Sequence, residues 1–208
     1  MVNIKLYVEG GGDSAAMHSR CREGFSSFLE KAGFKGRMPR IVACGGRKVA
    51  FDRFKTACEA GETSFLLIDS EEPVVEKSPW DHLAKRSGDG FVKPGNADDD
   101  HCHLMVICME SWFLADKGAL STFFGQGFKA NALPNTAKIE EVSKQDIFAG
   151  LQKASSNCKT KAPYGKGEHS FKILLSLSPE KVSAASPWAN RFLQKLDSYM
   201  KAPSSSCT

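Results

Sequence analysis

Three apolar runs in this chain each end on a carboxylate. Lys5-Leu6-Tyr7-Val8 leads into Glu9, Phe65-Leu66-Leu67-Ile68 into Asp69, and Leu104 through Met109 into Glu110. Two further acids follow closely: Asp13, beyond Gly10-Gly11-Gly12, and Glu71, in Asp69-Ser70-Glu71. Carboxylates that converge repel one another unless a cation lies between them, and clustered oxygen donors suit a hard divalent ion. The expectation is a metal-dependent active site.

Other residues could serve the same chemistry. Lys166 stands between two glycines in Tyr164-Gly165-Lys166-Gly167-Glu168-His169, where an extended ammonium can meet a phosphate or donate a proton. The three glycines after Val8 permit close backbone approach by a phosphate. They match neither the dinucleotide fingerprint nor the P-loop pattern. Asp13 is open to two readings, a ligand pointing back toward Glu9 or a helix N-cap. Asp116 reads as a surface or capping residue. A competing cluster is His101-Cys102-His103, whose imidazoles alternate onto one strand face and could bind zinc or manganese. No nucleophile elbow and no Cys–His pair is present.

Convergence depends on the elements that carry these residues. Short β-rich runs separated by helix-patterned stretches predict parallel strands, whose C-terminal ends share one rim. Strands are expected at residues 3–8, 40–44, 64–68 and 101–109. Helices are expected from Asp13-Ser14 to Gly33 and from Arg47 to Ala60, with a further helix opening at Glu110. Residues 72–100 read as a long loop with a turn or two of helix at 80–85. The expected fold is α/β, a parallel sheet of about four strands flanked by helices, with a mostly helical C-terminal part. One domain is expected over residues 1–200, its core about 1–120 and its helical extension about 121–200, before a flexible tail at 201–208.

Composition sets the outer limits. The 208 residues suffice for a well-buried domain, and 41% hydrophobic with 25% charged residues is ordinary for a soluble protein. A formal charge of +4 permits a polyanionic partner without demanding one. Basic residues concentrate at 31–55, including Arg47 and Lys48, and again at 153–172. Such clusters suit either solvated faces or a nucleic-acid surface. The seven cysteines form no C-x-x-C pair, which argues against a disulfide framework or a zinc knuckle. No signal segment and no apolar run near the ~18–20 residues of a membrane span is visible. A reducing, cytoplasmic setting is expected.

Taken together, E-G-G-G-D at residues 9–13 and D-S-E at 69–71 resemble the two core motifs of the Toprim domain of topoisomerases, primases and OLD-family nucleases. Glu71 replaces the usual second Asp. Glu110 in E-S-W-F-L-A-D and Lys166 in Y-G-K-G look like the later acid and lysine of OLD-type nucleases. The whole pattern, with V-A-C-G-G-R and A-A-S-P-W-A-N-R-F, looks like the Toprim-like DUF4276 family. The resemblance implies a nuclease that hydrolyses DNA or RNA with one or two Mg²⁺ or Mn²⁺ ions. Glu9, Asp69 and Glu71 would be the core ligands, and Asp13 and Glu110 would complete a second metal site. Lys166 would stabilise charge on the scissile phosphate, with Arg47 and Lys48 toward the nucleic acid. It also implies phage or plasmid defence beside a separate ATPase. The alternatives are a non-catalytic Toprim-like subunit that binds nucleic acid or an ATPase, and a hydrolase or phosphotransferase acting on a small phosphorylated substrate. Oligomeric state is left open.

Overall fold

A computed structural model describes residues 4–201. The expected first residue of the opening strand, Asn3, and residues 202–208 of the tail expected at 201–208, with Cys207, lie outside the described residues, whereas Lys201 closes the last helix. Four strands, β1 (Lys5–Val8), β2 (Arg40–Ala43), β3 (Ser64–Asp69) and β4 (Cys102–Met105), form one all-parallel sheet in the order β2-β1-β3-β4. Leu6 lies opposite Ile41 on one side and Phe65 on the other, and Asp69 lies opposite Met105. All six residues of β3 are buried, as expected of a strand covered on both faces.

The helices α1 (Ala15–Leu29) and α2 (Arg47–Glu59) make the first two crossovers. The chain steps from β1 outward to β2, then returns past β1 to β3. Right-handed crossovers running in opposite directions put their helices on opposite faces of the sheet. Ser14 caps α1, its hydroxyl accepting from the Met17 N–H at 3.2 Å. A short helix, α3 (Pro79–Lys85), interrupts the long loop as expected.

The C-terminal part is helical: α4 (Lys117–Phe124), α5 (Lys144–Ser155), α6 (Ser170–Leu174), α7 (Pro179–Ala185) and α8 (Pro187–Lys201). α8 covers the β3–β4 side, where Tyr199 meets Phe65 edge-on and Phe192 meets His103. α6 packs against α1, and the approach is close at Gly24. A Cβ there would stand 3.0 Å from the Phe171 carbonyl oxygen. That contact brings the segment before α6 to the rim where β1 and β3 end. No helix among the described residues is long and apolar enough to cross a membrane.

The fourth strand corrects the expected span of 101–109. It stops at Met105 because Ile107 takes a φ of 59°, incompatible with extended pairing and costly for a β-branched side chain. The segment after β3 takes over the hydrogen bonds. The Ser70 N–H donates to the Met105 carbonyl (2.9 Å), the Ile107 N–H to the Ser70 hydroxyl (2.8 Å), and the Glu71 N–H to the Ile107 carbonyl (2.9 Å). Glu110 therefore does not end a strand; it sits in a 3₁₀ turn, Met109–Ala115.

Candidate metal centre

The order β2-β1-β3-β4 makes the junction of β1 and β3 the point where the chain reverses its direction of travel across the sheet. Open parallel sheets bind ligands at such a point, outside the strands' C-terminal ends. Glu9 follows β1 and Asp69 closes β3, so both stand there. Glu9 donates its N–H to the Leu67 carbonyl at 3.0 Å, and the Asp69 N–H returns a bond to Glu9 Oε2 at 3.1 Å. Glu71 is turned toward them by a left-handed backbone, φ 65°. Glu9, Asp69 and Glu71 each offer an oxygen within 4.8 Å of the others.

Beside them is a cavity of about 290 Å³, with Glu9, Asp69, Glu110 and Lys166 in its wall. The glycine turn closes another side. Gly10 and Gly45 exchange backbone hydrogen bonds at 2.9 and 2.8 Å, and a Cβ on Gly45 would meet the Gly12 carbonyl oxygen at 2.5 Å. Only glycine fits at Gly45, which holds the β1 and β2 loops together over the cavity.

Glu110 is 1% exposed. Its Oε1 accepts from the hydroxyls of Tyr164 and Ser170, both at 3.0 Å, whereas Oε2 is buried without a partner among the described residues. Asp69 Oδ1 accepts from the Met109 N–H at 2.8 Å. Burial pushes the Asp69 carboxyl well above the usual range, and Glu9 and Glu110 add to the rise. Burial also raises Glu9, against the opposing pull of Arg47 and the Asp69 N–H. Lys166 moves the other way: burial works against its charge, yet Glu110 and Asp69 hold its pKa above the ordinary lysine value.

Two cations are already committed to this rim. Arg47, which opens α2, reaches Glu9 Oε2 at 3.4 Å and donates to the Asp69 carbonyl. The same guanidinium is gripped by Asp89, its Nε 2.8 Å from Oδ1, and Asp89 also receives Arg86 at 2.9 Å. Lys144, which opens α5, pairs with Glu71. Four carboxylates thus share three cations, one of which also serves Asp89. The surplus of hard oxygen donors and the orphaned Glu110 Oε2 suit a divalent cation better than a further side chain.

The structure brings together Glu9, Asp69, Glu71, Glu110 and Lys166 from the expected site residues. Arg47 lies within the same group, as a counter-ion anchored by Asp89. Asp13 is exposed and does not join the cluster. The glycines before it, at φ 135°, 96° and 51°, carry the chain away, and the cap is Ser14. Lys48 points to solvent from α2 and pairs with Asp52 at 2.9 Å. Asp116 is a cap, accepting from the Ala119 N–H at 3.2 Å and pairing with Lys181 at 2.7 Å. His101 and His103 assemble no metal site among the described residues. Arg191 donates to His103 Nδ1 at 3.1 Å, so the ring proton lies on Nε2 and is donated to the Asp100 carbonyl at 2.9 Å. His101 Nδ1 lies 2.7 Å from Asp98 Oδ1.

Lys144, Asp89, Tyr164 and Ser170 carry no spacing signal that ties them to the acids. Tyr164 opens the Gly-Lys-Gly motif and Ser170 directly follows it, but neither position points to Glu110.

The family described as Domain of unknown function (DUF4276) matches residues 8–197. The chain belongs to the DUF4276 family. No curated protein and no solved structure matches it. The DUF4276 match spans Glu9, Asp69, Glu71, Glu110, Lys166, Tyr164 and Ser170, so the entire rim lies within the family's extent.

Proposed function

We propose that this chain is a divalent-metal-dependent nuclease that hydrolyses phosphodiester bonds of DNA or RNA. The observation that carries the reading is the meeting of Glu9, Asp69 and Glu71 oxygens within 4.8 Å, beside a cavity that also holds Glu110 and Lys166. The motif resemblance to Toprim and OLD-type nucleases supports the same chemistry. Glu9, Asp69 and Glu71 would hold the first Mg²⁺ or Mn²⁺, and Glu110 is the donor toward a second; Asp13 is not part of the set. Bound there, the ion supplies Lewis acidity toward a phosphoryl oxygen and toward water.

The remaining work belongs to side chains. Lys166 lines the same cavity as Glu9, Asp69 and Glu110 and offers its ammonium to charge that develops on the phosphate. Arg47, fixed by Asp89, holds Glu9 against the end of β3. The Gly10–Gly12 turn lets a phosphate approach the backbone closely. Action beside a separate ATPase in phage or plasmid defence extends the proposal on the resemblance alone, and a cytoplasmic setting extends it on the cysteine pattern of the sequence.

The test is cleavage of plasmid DNA and of RNA in Mg²⁺ or Mn²⁺, with Glu9→Gln and Asp69→Asn alongside. Cleavage lost in both variants and in chelator is the expected result. Cleavage undiminished in both removes these residues from the reaction. A second reading, a non-catalytic subunit that binds nucleic acid or an ATPase, draws on one observation: Arg47 and Lys144 already neutralise Glu9 and Glu71. It predicts nucleic-acid or ATPase binding that Mn²⁺ leaves unchanged, with no cleavage of either polymer.

A further inference from the structure

The carboxylates of the rim are held in two different ways. Glu9 and Glu71 are paired with cations, Arg47 and Lys144. Asp69 and Glu110 accept only from neutral donors among the described residues: a backbone N–H for the first, two hydroxyls for the second. A cationic partner cancels a carboxylate's charge and competes with any metal for it. A hydroxyl fixes one oxygen in place and leaves the charge available.

The hydroxyls on Glu110 are themselves firmly seated. Tyr164 and Ser170 are 3% and 2% exposed. The Tyr164 N–H donates to the Ser155 hydroxyl at 2.7 Å, and its ring packs between Phe113 and Phe148. Ser170 Oγ accepts from the Gly167 N–H at 3.2 Å and stands 2.8 Å from the tyrosine oxygen. Both hydroxyls meet the same carboxylate oxygen. The other, Oε2, is buried with no protein donor among the described residues, on a side chain that lines the cavity. A buried carboxylate oxygen without a donor beside a cavity is a place where a cation fits.

From this geometry we infer that Tyr164 and Ser170 are positioning residues. They clamp Glu110 through Oε1 so that Oε2 is presented as an oxygen donor to a divalent cation beside Asp69. The inference deepens the metal-dependent reading above and rests on it. It gives the segment before α6 a second task besides carrying Lys166: the loop that brings the ammonium also orients an acid of the same cavity.

The experiment is calorimetric titration of the full chain with MnCl₂ in metal-free buffer, with melting curves in chelator as the control for folding. Tyr164→Phe should weaken Mn²⁺ binding about 10-fold, the lower end of the loss seen when groups behind a metal ligand are removed, and Ser170→Ala should do the same. In a Glu110→Gln background, Tyr164→Phe should cause no further loss, because the tyrosine acts through that carboxylate. Mn²⁺ affinity equal to the native chain's in both single variants, or an undiminished loss in the Glu110→Gln background, overturns the inference and leaves the metal reading standing. Absence of Mn²⁺ binding by the native chain overturns both. Should Tyr164→Phe melt in chelator far below the native chain, Ser170→Ala, which removes one oxygen, decides the matter.

Discussion

Two polar clusters flank the β3–β4 pair, and they are built on opposite plans. Near the start of β4, Arg191 serves the Cys102 carbonyl at 3.0 Å, the Asp99 carbonyl and His103 Nδ1, while Lys195 meets Asp100 at 2.7 Å. Donors and acceptors match there, with no orphaned polar atom among His103, Arg191 and Asp100. At the end of β3, carboxylates outnumber cations, one carboxylate oxygen has no partner, and two non-glycine residues, Glu71 and Ile107, adopt left-handed backbone. A satisfied cluster stabilises a fold by itself. Strained backbone and orphaned polar groups are features that concentrate at functional sites.

The contrast can be broken most sharply at Asp69. Asp69→Asn keeps an oxygen for the Met109 N–H and removes a charge that burial, Glu9 and Glu110 all oppose. Cleavage should fall on the order of 10³-fold. The melting temperature in chelator should rise, since the charge that is removed is one the buried surroundings oppose. A lower melting temperature would mean that the acid cluster is a structural network like its counterpart.

Arg191→Ala makes the opposite experiment. It strips several acceptors at once and should cost about 2–4 kcal/mol in chemical denaturation. Mn²⁺ binding should stay as it was; a parallel loss of affinity would tie the two clusters together.

The next effect is a pH dependence. Burial holds His103 well below the ordinary imidazole value of 6.5, and Arg191 pushes it further down. The unfolded chain therefore takes up a proton that the folded chain refuses. Stability conferred by the neutral ring is complete above about pH 6.5 and is lost as pH falls below it, by up to about 1.4 kcal/mol per unit. His103→Gln should flatten that part of the stability–pH curve in denaturant titrations. An unchanged slope would assign it elsewhere.

The smallest effect concerns Lys144. Its pair with Glu71 is partly exposed, a class worth about 0.2–1 kcal/mol. Lys144→Ala should free Glu71 and tighten Mn²⁺ binding by roughly 1.4- to 5-fold, as converted from that range. Weaker binding would instead make Lys144 a partner of the bound state.

The sheet and its two flanking helices were legible because apolar runs, glycine breaks and helical spacing are local signals. Glu9 and Asp69 were legible for the same reason: each follows a buried run directly. Glu110 was placed at the site by a different route from the one expected. The apolar run before it spans a short strand, a left-handed kink at Ile107 and a 3₁₀ turn, and no local pattern announces that kink. Asp13 failed as a ligand because backbone angles at three successive glycines, not residue type, decide where the chain goes next. Arg47 read as a candidate for nucleic acid because its partner, Asp89, lies 42 residues away in a loop without periodicity. Tyr164 and Ser170 were invisible because nothing in a single sequence pairs a hydroxyl with an acid far upstream.

The bonds that define the rim have long reach in the chain. Glu9 meets the Asp69 backbone across 60 positions, Lys144 meets Glu71 across 73, and Ser170 meets Glu110 across 60. Closing loops of that length comes late and slowly in folding, after local helices have formed. Before the segment at Tyr164–Ser170 docks, the acids lack both their hydroxyl clamp and the lysine. Mn²⁺ uptake during refolding should therefore trail the recovery of helical signal, making the rim a reporter of the last stage of assembly.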